Sequence, residues 1–151
     1  PGPTADIGAG TAVLAMAAAK VWPDAAVIAS DIDMVAVEVA QANVDVNDLT
    51  ARVECIEAAG FDHPRLAALA PYGLIFANIL KGPLIDMAPD LAAHAAQGGY
   101  AILSGLLNPQ GDEVVAAYDA AGFDMVRRVE VGDWTTLSLR RRCSRWNGSH
   151  A

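Results

Sequence analysis

The chain has 151 residues, of which 54% are hydrophobic, 19% charged and 6% aromatic. That length fits one domain with a sizeable core, and the apolar share excludes a disordered chain. Eighteen acidic against ten basic residues leave a net charge of −8. This disfavours a primary nucleic-acid binder, whose affinity rests on neutralising phosphates, and suits a cationic partner.

No apolar run approaches the roughly 18–20 residues of a membrane helix. Pro1-Gly2-Pro3 shows no basic segment followed by an apolar one, so no signal peptide is read there. Cys55 and Cys143 are far apart and in no Cys-x-x-Cys pattern, as free thiols of a reducing compartment would be. His63, His94 and His150 have no ligand spacing, and no metal site is expected.

Strand-like and helix-like stretches alternate along the chain, the pattern of an α/β fold with a mostly parallel sheet. Thr4–Ile7 reads as a short strand running into a glycine turn. Thr11–Val21 reads as a helix, apolar on nearly every face and so expected to be well buried. Ala26–Ser30 is a buried strand ending at Asp31, and Met34–Val46 a helix closed by Asn47-Asp48. Ala51–Ile56 alternates as a strand, and Pro64–Leu69 fits a short helix. After the Tyr72-Gly73 turn, Leu74–Ala77 is a third apolar strand. Pro83–Ala96 reads as one helix ended by Gly98-Gly99, followed by a strand at Tyr100–Leu103. Pro109–Ala121 is a helix ended by Gly122. Asp124–Val131 and Trp134–Arg140 leave no room for a helix between them and must form an antiparallel hairpin. Arg140-Arg141-Arg142 reads as a solvated strand end, the three tryptophans as packing residues, and Cys143–Ala151 as a frayed polar tail.

Three segments carry the chemistry. The first is Asp6-Ile7-Gly8-Ala9-Gly10-Thr11-Ala12, between the first strand and the first helix. Glycines let the backbone approach a ligand, and free N–H groups at a helix start attract negative charge. A plain tight turn is the alternative reading. The second is Asp31, at the end of the second strand, where such folds place an acid on ribose hydroxyls. Asp33 fits better as the cap of the following helix. The third is Asn78, which ends the third apolar strand at the same sheet edge as Gly8 and Asp31. As well as a turn residue, it can be an acceptor that aims an incoming amine.

The dinucleotide fingerprint Gly-x-Gly-x-x-Gly/Ala fails here, because position 13 is Val13. Asp6 two residues before the first glycine, with the terminal hairpin, fits the Rossmann-like methyltransferases instead. Asp6 can then meet the ammonium of S-adenosylmethionine, directly or through water.

The chain resembles the catalytic domain of the ribosomal protein L-eleven methyltransferases, up to about Arg142. The resemblance rests on the Asp6–Ala12 loop, Ala29-Ser30-Asp31-Ile32-Asp33, Ala59-Gly60-Phe61-Asp62-His63-Pro64 and Ala77-Asn78-Ile79-Leu80 with Gly82-Pro83-Leu84. It continues through Ala88-Pro89, Leu103-Ser104-Gly105-Leu106 and Gly132-Asp133-Trp134. It implies a class I S-adenosylmethionine-dependent methyltransferase fold, a seven-stranded sheet with helices on both faces. It implies a cytoplasmic bacterial enzyme that methylates lysine and α-amino groups of a large-subunit ribosomal protein. Asp6, Gly8, Ala9, Gly10, Thr11, Asp31, Ile32, Ala58, Ala59 and Asn78 would line the cofactor. Asn78 would lie between cofactor and amine, and Leu80 would shape the substrate entrance.

Two departures stand out. The third glycine of the loop is Ala12, expected to fit. The family also carries a recognition domain, a linker and a cofactor-covering segment before the first strand, where this chain starts. Residues 1–142 are therefore expected to be an isolated catalytic domain or a truncated product, able to self-associate through the face left open. A methyltransferase of the same fold with another substrate and a non-catalytic cofactor-binding domain stay open. A nicotinamide oxidoreductase is disfavoured by Val13 and the hairpin.

Overall fold

In the computed structural model, residues 2–144 are described. The first half runs β1 (Thr4–Ile7), α1 (Val13–Val21), β2 (Val27–Asp31), α2 (Met34–Val46), β3 (Val53–Glu57) and α3 (Pro64–Leu69). The second half runs β4 (Tyr72–Asn78), α4 (Lys81–Asp86), α5 (Ala88–His94), β5 (Ala95–Leu107), α6 (Gly111–Ala120), β6 (Phe123–Val131) and β7 (Trp134–Arg141). The seven strands form one sheet in the order β3-β2-β1-β4-β5-β7-β6. β1 to β5 pair in parallel, while β7 runs antiparallel to both β5 and β6.

This order sets the position of the site. The chain moves outward from β1 through β2 to β3, then returns to lay β4 on the other side of β1. The reversal between β1 and β4 opens a crevice at the carboxyl ends of the strands, where ligands of open α/β sheets bind. Asp31 and Asn78 close their strands at that edge, and Gly8 follows β1 there.

The pleat sends alternate side chains to two cores. Ala5 and Ile7 of β1, Ile28 of β2 and Ile75 and Ala77 of β4 face one core, with Leu66, Leu84, Leu91, Val114 and Tyr118 from α3 to α6. Val27 and Ala29 of β2 and Leu74 and Phe76 of β4 face the other, under α1 and α2. The Tyr72 and Tyr118 hydroxyls keep their hydrogen bonds inside the core by donating to the Leu66 and Leu84 carbonyls, both at 2.8 Å.

Most expected elements are present, some with shifted bounds. α1 begins at Val13, because Ala12 takes a left-handed conformation at φ 66° and stands outside the helix. Ala12 still fits, fully buried, at about 1 kcal/mol of backbone strain. α1 is not buried all round: Ala15, Ala18 and Ala19 are, but Val13 and Val21 are 61% and 64% exposed. Alanines suffice on its inner face because the helix lies close to the sheet.

The single helix expected over Pro83–Ala96 is two, broken at Met87. Pro89 has no N–H to give the Ile85 carbonyl, and its ring crowds that carbonyl, so the helix restarts there. Gly98 and Gly99 do not end a helix. They lie in β5, which begins at Ala95 and takes in the expected Tyr100–Leu103 strand. Tyr72-Gly73 is likewise strand rather than turn, with Gly73 packed against Gly2 so closely that an added Cβ would meet the Gly2 nitrogen at 2.9 Å. Residues 108–110 form a 3-10 turn before α6.

The arginine cluster is not simply solvated. Arg142 binds Asp119 and Asp124, Arg141 donates to the Ala95 carbonyl, and Arg140 lies over the Tyr100 ring. Trp22 packs against the second core, but Trp134 is 58% exposed at the hairpin end, since no described element covers that corner. Trp146 and most of the tail expected to fray lie outside the described residues.

Candidate functional site

The β1–α1 loop is shaped by backbone that favours glycine: Gly8 has φ +69° and Gly10 φ +54°. At Gly8 an added Cβ would run into the Ile79 side chain, so space as well as conformation requires glycine. The loop is held from below. Ala9 N–H donates to the Ser30 carbonyl at 2.9 Å, and Ala15 N–H at the start of α1 donates to Asp6 Oδ2 at 3.1 Å.

Asp6 is 1% exposed, and its Oδ1 has no hydrogen-bond partner among the described residues. Burial pushes its pKa up to about 6; the Ala15 N–H works against that rise, and the nearby Asp31 charge adds to it. It lies under the loop rather than in the open crevice.

Asp31 ties two loops together. Its Oδ2 accepts from Gly10 N–H at 3.1 Å and its Oδ1 from Asp33 N–H at 3.0 Å. Each carboxylate oxygen retains a further lone pair, enough for a pair of hydroxyls. Asp33 caps α2 as expected, accepting from Val35 N–H at 2.9 Å.

A cavity of about 690 Å³ opens at this edge, well within the range of small-molecule sites. It brings together Gly8, Asp31, Ile32, Ala58, Asn78 and Leu80, all expected site residues. Ala58 is buried, while Ile32 and Leu80 are 72% and 74% exposed. Other expected residues stand off its wall. Ala9 and Gly10 line a separate small cleft with Asp31, and Thr11 is exposed, its carbonyl accepting from Asn43 Nδ2. Ala59 is exposed and forms an isolated bridge with Asp62.

Sequence reasoning missed part of the wall. Ile7, Gly60, Ile79, Pro83, Asp86, Met87 and Asp90 also line the cavity. The last four follow the i, i+3, i+4, i+7 spacing of one helical face, a signal available in the sequence. It was hidden inside what read as a single helix over Pro83–Ala96. Asp86 and Asp90 are exposed, and neither takes part in the ion pairs of the described residues.

The family model "Ribosomal protein L11 methyltransferase" matches residues 3–142, nearly the whole described chain. The chain belongs to the ribosomal protein L11 methyltransferase family. Among similar proteins, the ribosomal protein L11 methyltransferase of Mesorhizobium japonicum is 46% identical over 135 residues, 89% of this chain and 46% of that protein. The one from Chelativorans sp. is 44% identical over 136 residues, 90% of this chain and 47% of that protein. This L11 methyltransferase family member thus spans about half the length of those relatives.

The solved ribosomal protein L11 methylase of Lactobacillus delbrueckii subsp. bulgaricus matches with a TM-score of 0.78 at 29% identity. That match covers 93% of this chain and 70% of that one. A precorrin-6y C5,15-methyltransferase from Geobacter metallireducens, at 17% identity and TM-score 0.76, shares the fold alone, over 94% of this chain and 81% of that one. The expected class I S-adenosylmethionine-dependent methyltransferase fold is the one observed.

Proposed function

We propose that this chain is the catalytic domain of an S-adenosylmethionine-dependent protein N-methyltransferase. Its acceptors are lysine and α-amino groups of a basic large-subunit ribosomal protein, and it works in the cytoplasm. The observation that carries this reading is the convergence of Gly8, Asp31, Ala58 and Asn78 on one cavity. The names of the relatives supply the ribosomal acceptor. The net charge of −8 suits a basic one.

The residues present fit the cofactor. Asp31 offers acceptors to a ribose diol while its backbone bonds hold it still. Ile32 and Ala58 offer apolar surface to adenine. Gly8 leaves the loop without a Cβ where the backbone must approach. Asp6 Oδ1 is a buried acceptor under the loop with no partner among the described residues, the kind of group that meets an ammonium directly or through water. Ala9, Gly10, Thr11 and Ala59 complete the binding loops behind this wall.

When bound there, S-adenosylmethionine supplies an electrophilic methyl group on a sulfonium. The chain must then present a neutral amine, although a lysine ordinarily titrates near 10.4. Asp86 and Asp90 attract the charged ammonium and so favour entry, not deprotonation. The apolar wall of Ile79, Leu80, Pro83 and Met87 then strips water from the amine and favours loss of its proton to solvent. Asn78 accepts a hydrogen bond from the remaining N–H through its side-chain oxygen, which aims the lone pair. Proximity and desolvation carry the rate, with Asp86 and Asp90 assigned to entry of the ammonium rather than to proton abstraction.

Calorimetric titration with S-adenosylmethionine, S-adenosylhomocysteine and NAD tests the cofactor. The two adenosyl ligands should bind and NAD should not; NAD binding alone overturns the reading. Asp31→Ala should weaken S-adenosylmethionine at least about tenfold. Asn78→Ala should lower kcat on ribosomal protein L11 by about 10²-fold and leave cofactor affinity within about twofold.

A further inference from the structure

Gly105, in the Ser104-Gly105-Leu106 stretch of β5, has no part in the mechanism above. It takes a left-handed conformation at φ +82°. Asn78 and Ser104 form the last rung of the β4–β5 ladder, and the pairing of β5 with β7 slips between Leu103 and Leu106. Gly105 therefore sits on a bulge immediately past the rung that holds Asn78. Bulges re-aim the chain next to sites of chemistry. A Cβ added at Gly105 would stand 2.5 Å from Asn78 Oδ1 and 3.3 Å from the Ile79 carbonyl oxygen. Gly8, on the β1 side, leaves the same kind of gap against the Ile79 side chain. The Asn78-Ile79 dipeptide is thus seated between two glycines, one just past β1 and one in β5, on either side of β4.

We propose that Gly105 is a positioning residue, whose missing side chain makes the seat for the Asn78 carboxamide at the cavity wall. This rests on the reading of Asn78 as the residue that meets the acceptor amine. The atom nearest the added Cβ is the tip of a flexible side chain. A methyl group there displaces the carboxamide first, since the Ile79 backbone at 3.3 Å must give by only a few tenths of an ångström. The displacement alters what Asn78 presents to the amine and leaves the Asp31 side of the cavity untouched.

Three variants of the whole chain separate seating from backbone strain. Gly105→Ala adds both. Gly132→Ala, in the hairpin turn at φ +58° with nothing within 4 Å of an added Cβ, adds strain alone. Asn78→Ala removes the displaced group and identifies the Asn78 side-chain amide signals in a ¹⁵N–¹H spectrum. Those signals should move in Gly105→Ala and stay in place in Gly132→Ala. Signals unmoved in Gly105→Ala, or moved equally by both, overturn the proposal. This readout needs no turnover, so a wild-type chain that binds no S-adenosylmethionine defeats the functional reading and leaves the seating decided.

With ribosomal protein L11 as acceptor, Gly105→Ala should lower kcat by on the order of 10²-fold, with cofactor affinity within about twofold. It should lower kcat no further in an Asn78→Ala background, because the group it acts through is gone. An equal further loss in that background overturns the proposal. If Gly105→Ala alone fails to fold, a cooperative melt restored in the Asn78→Ala, Gly105→Ala double variant supports the seat, and its absence overturns it.

Discussion

Asp6 and Asp31 lie at the same edge of neighbouring strands and differ through their surroundings. Asp31 is at the rim, with one backbone N–H on each oxygen. Asp6 is buried beneath the loop with one oxygen unpaired and its pKa pushed up to about 6. Since the native value lies above the ordinary 3.8, the folded chain keeps a proton that the unfolded chain releases between about pH 4 and 6. Asp6 therefore disfavours the fold progressively as pH rises through that window, by about 3 kcal/mol in full above it. Asp6→Asn keeps an acceptor for Ala15 N–H and removes the charge. Its melting temperature relative to wild type should rise from pH 4 to 6 and level off above, and a difference flat with pH would contradict the burial argument. That Gly8, Asp31 and Asn78 stand at one sheet edge was legible, because Asp31 and Asn78 end apolar runs and Gly8 opens the glycine turn after another. Asp86 and Asp90 share a readable helical face with Pro83 and Met87, but what that face meets, like what lies beside Gly105, depends on which elements come to lie next to them.

At the scale of elements, α2, α3 and the terminal hairpin matched their sequence signals closely, whereas the region from Pro83 to Leu107 did not. Helical periodicity persists across Met87, but Pro89 interrupts the hydrogen bonding. Gly98 and Gly99 lie inside β5 at an irregularity: β4 pairs with Ala95 and again from Tyr100 onward, and the two glycines fall in the stretch between, where strand glycines commonly mark such breaks. Arg52 shows another contact with no local signal. Its guanidinium donates to the Ala19, Trp22 and Ala25 carbonyls at 3.0, 3.2 and 2.9 Å, tying the end of α1 and the entry to β2 to β3. Charge-assisted bonds of this kind are worth about 1.5–3 kcal/mol. Arg52→Ala should cost about 2 kcal/mol by urea denaturation, with an unchanged m-value. Arg52→Lys should recover part of it, as one ammonium cannot span three carbonyls.

At the scale of the molecule, the net charge of −8 and the carboxylates of Asp86 and Asp90 on the cavity wall bear on how the proposed basic acceptor would be captured. Raising salt from about 50 to about 200 mM should raise KM for ribosomal protein L11 several-fold, through screening of the approach. Cofactor affinity should change less, since the proposed contact of Asp31 with a ribose diol is to a neutral group. A KM unaffected by salt would remove charge from the account of acceptor capture.

The sequence alone determined the α/β class, the closing hairpin and the three strand-end signals. These follow from short-range rules: period, turn chemistry, and the lack of room for a helix between Val131 and Trp134. The tertiary structure decided the rest. It placed β4 against β1 and so joined Gly8, Asp31 and Asn78, residues up to 70 positions apart, around one cavity. It turned two α4–α5 carboxylates toward that cavity, and set a side-chain-free position of β5 against Asn78. Strand order and bulge position depend on pairing between distant segments, which no local window of sequence contains.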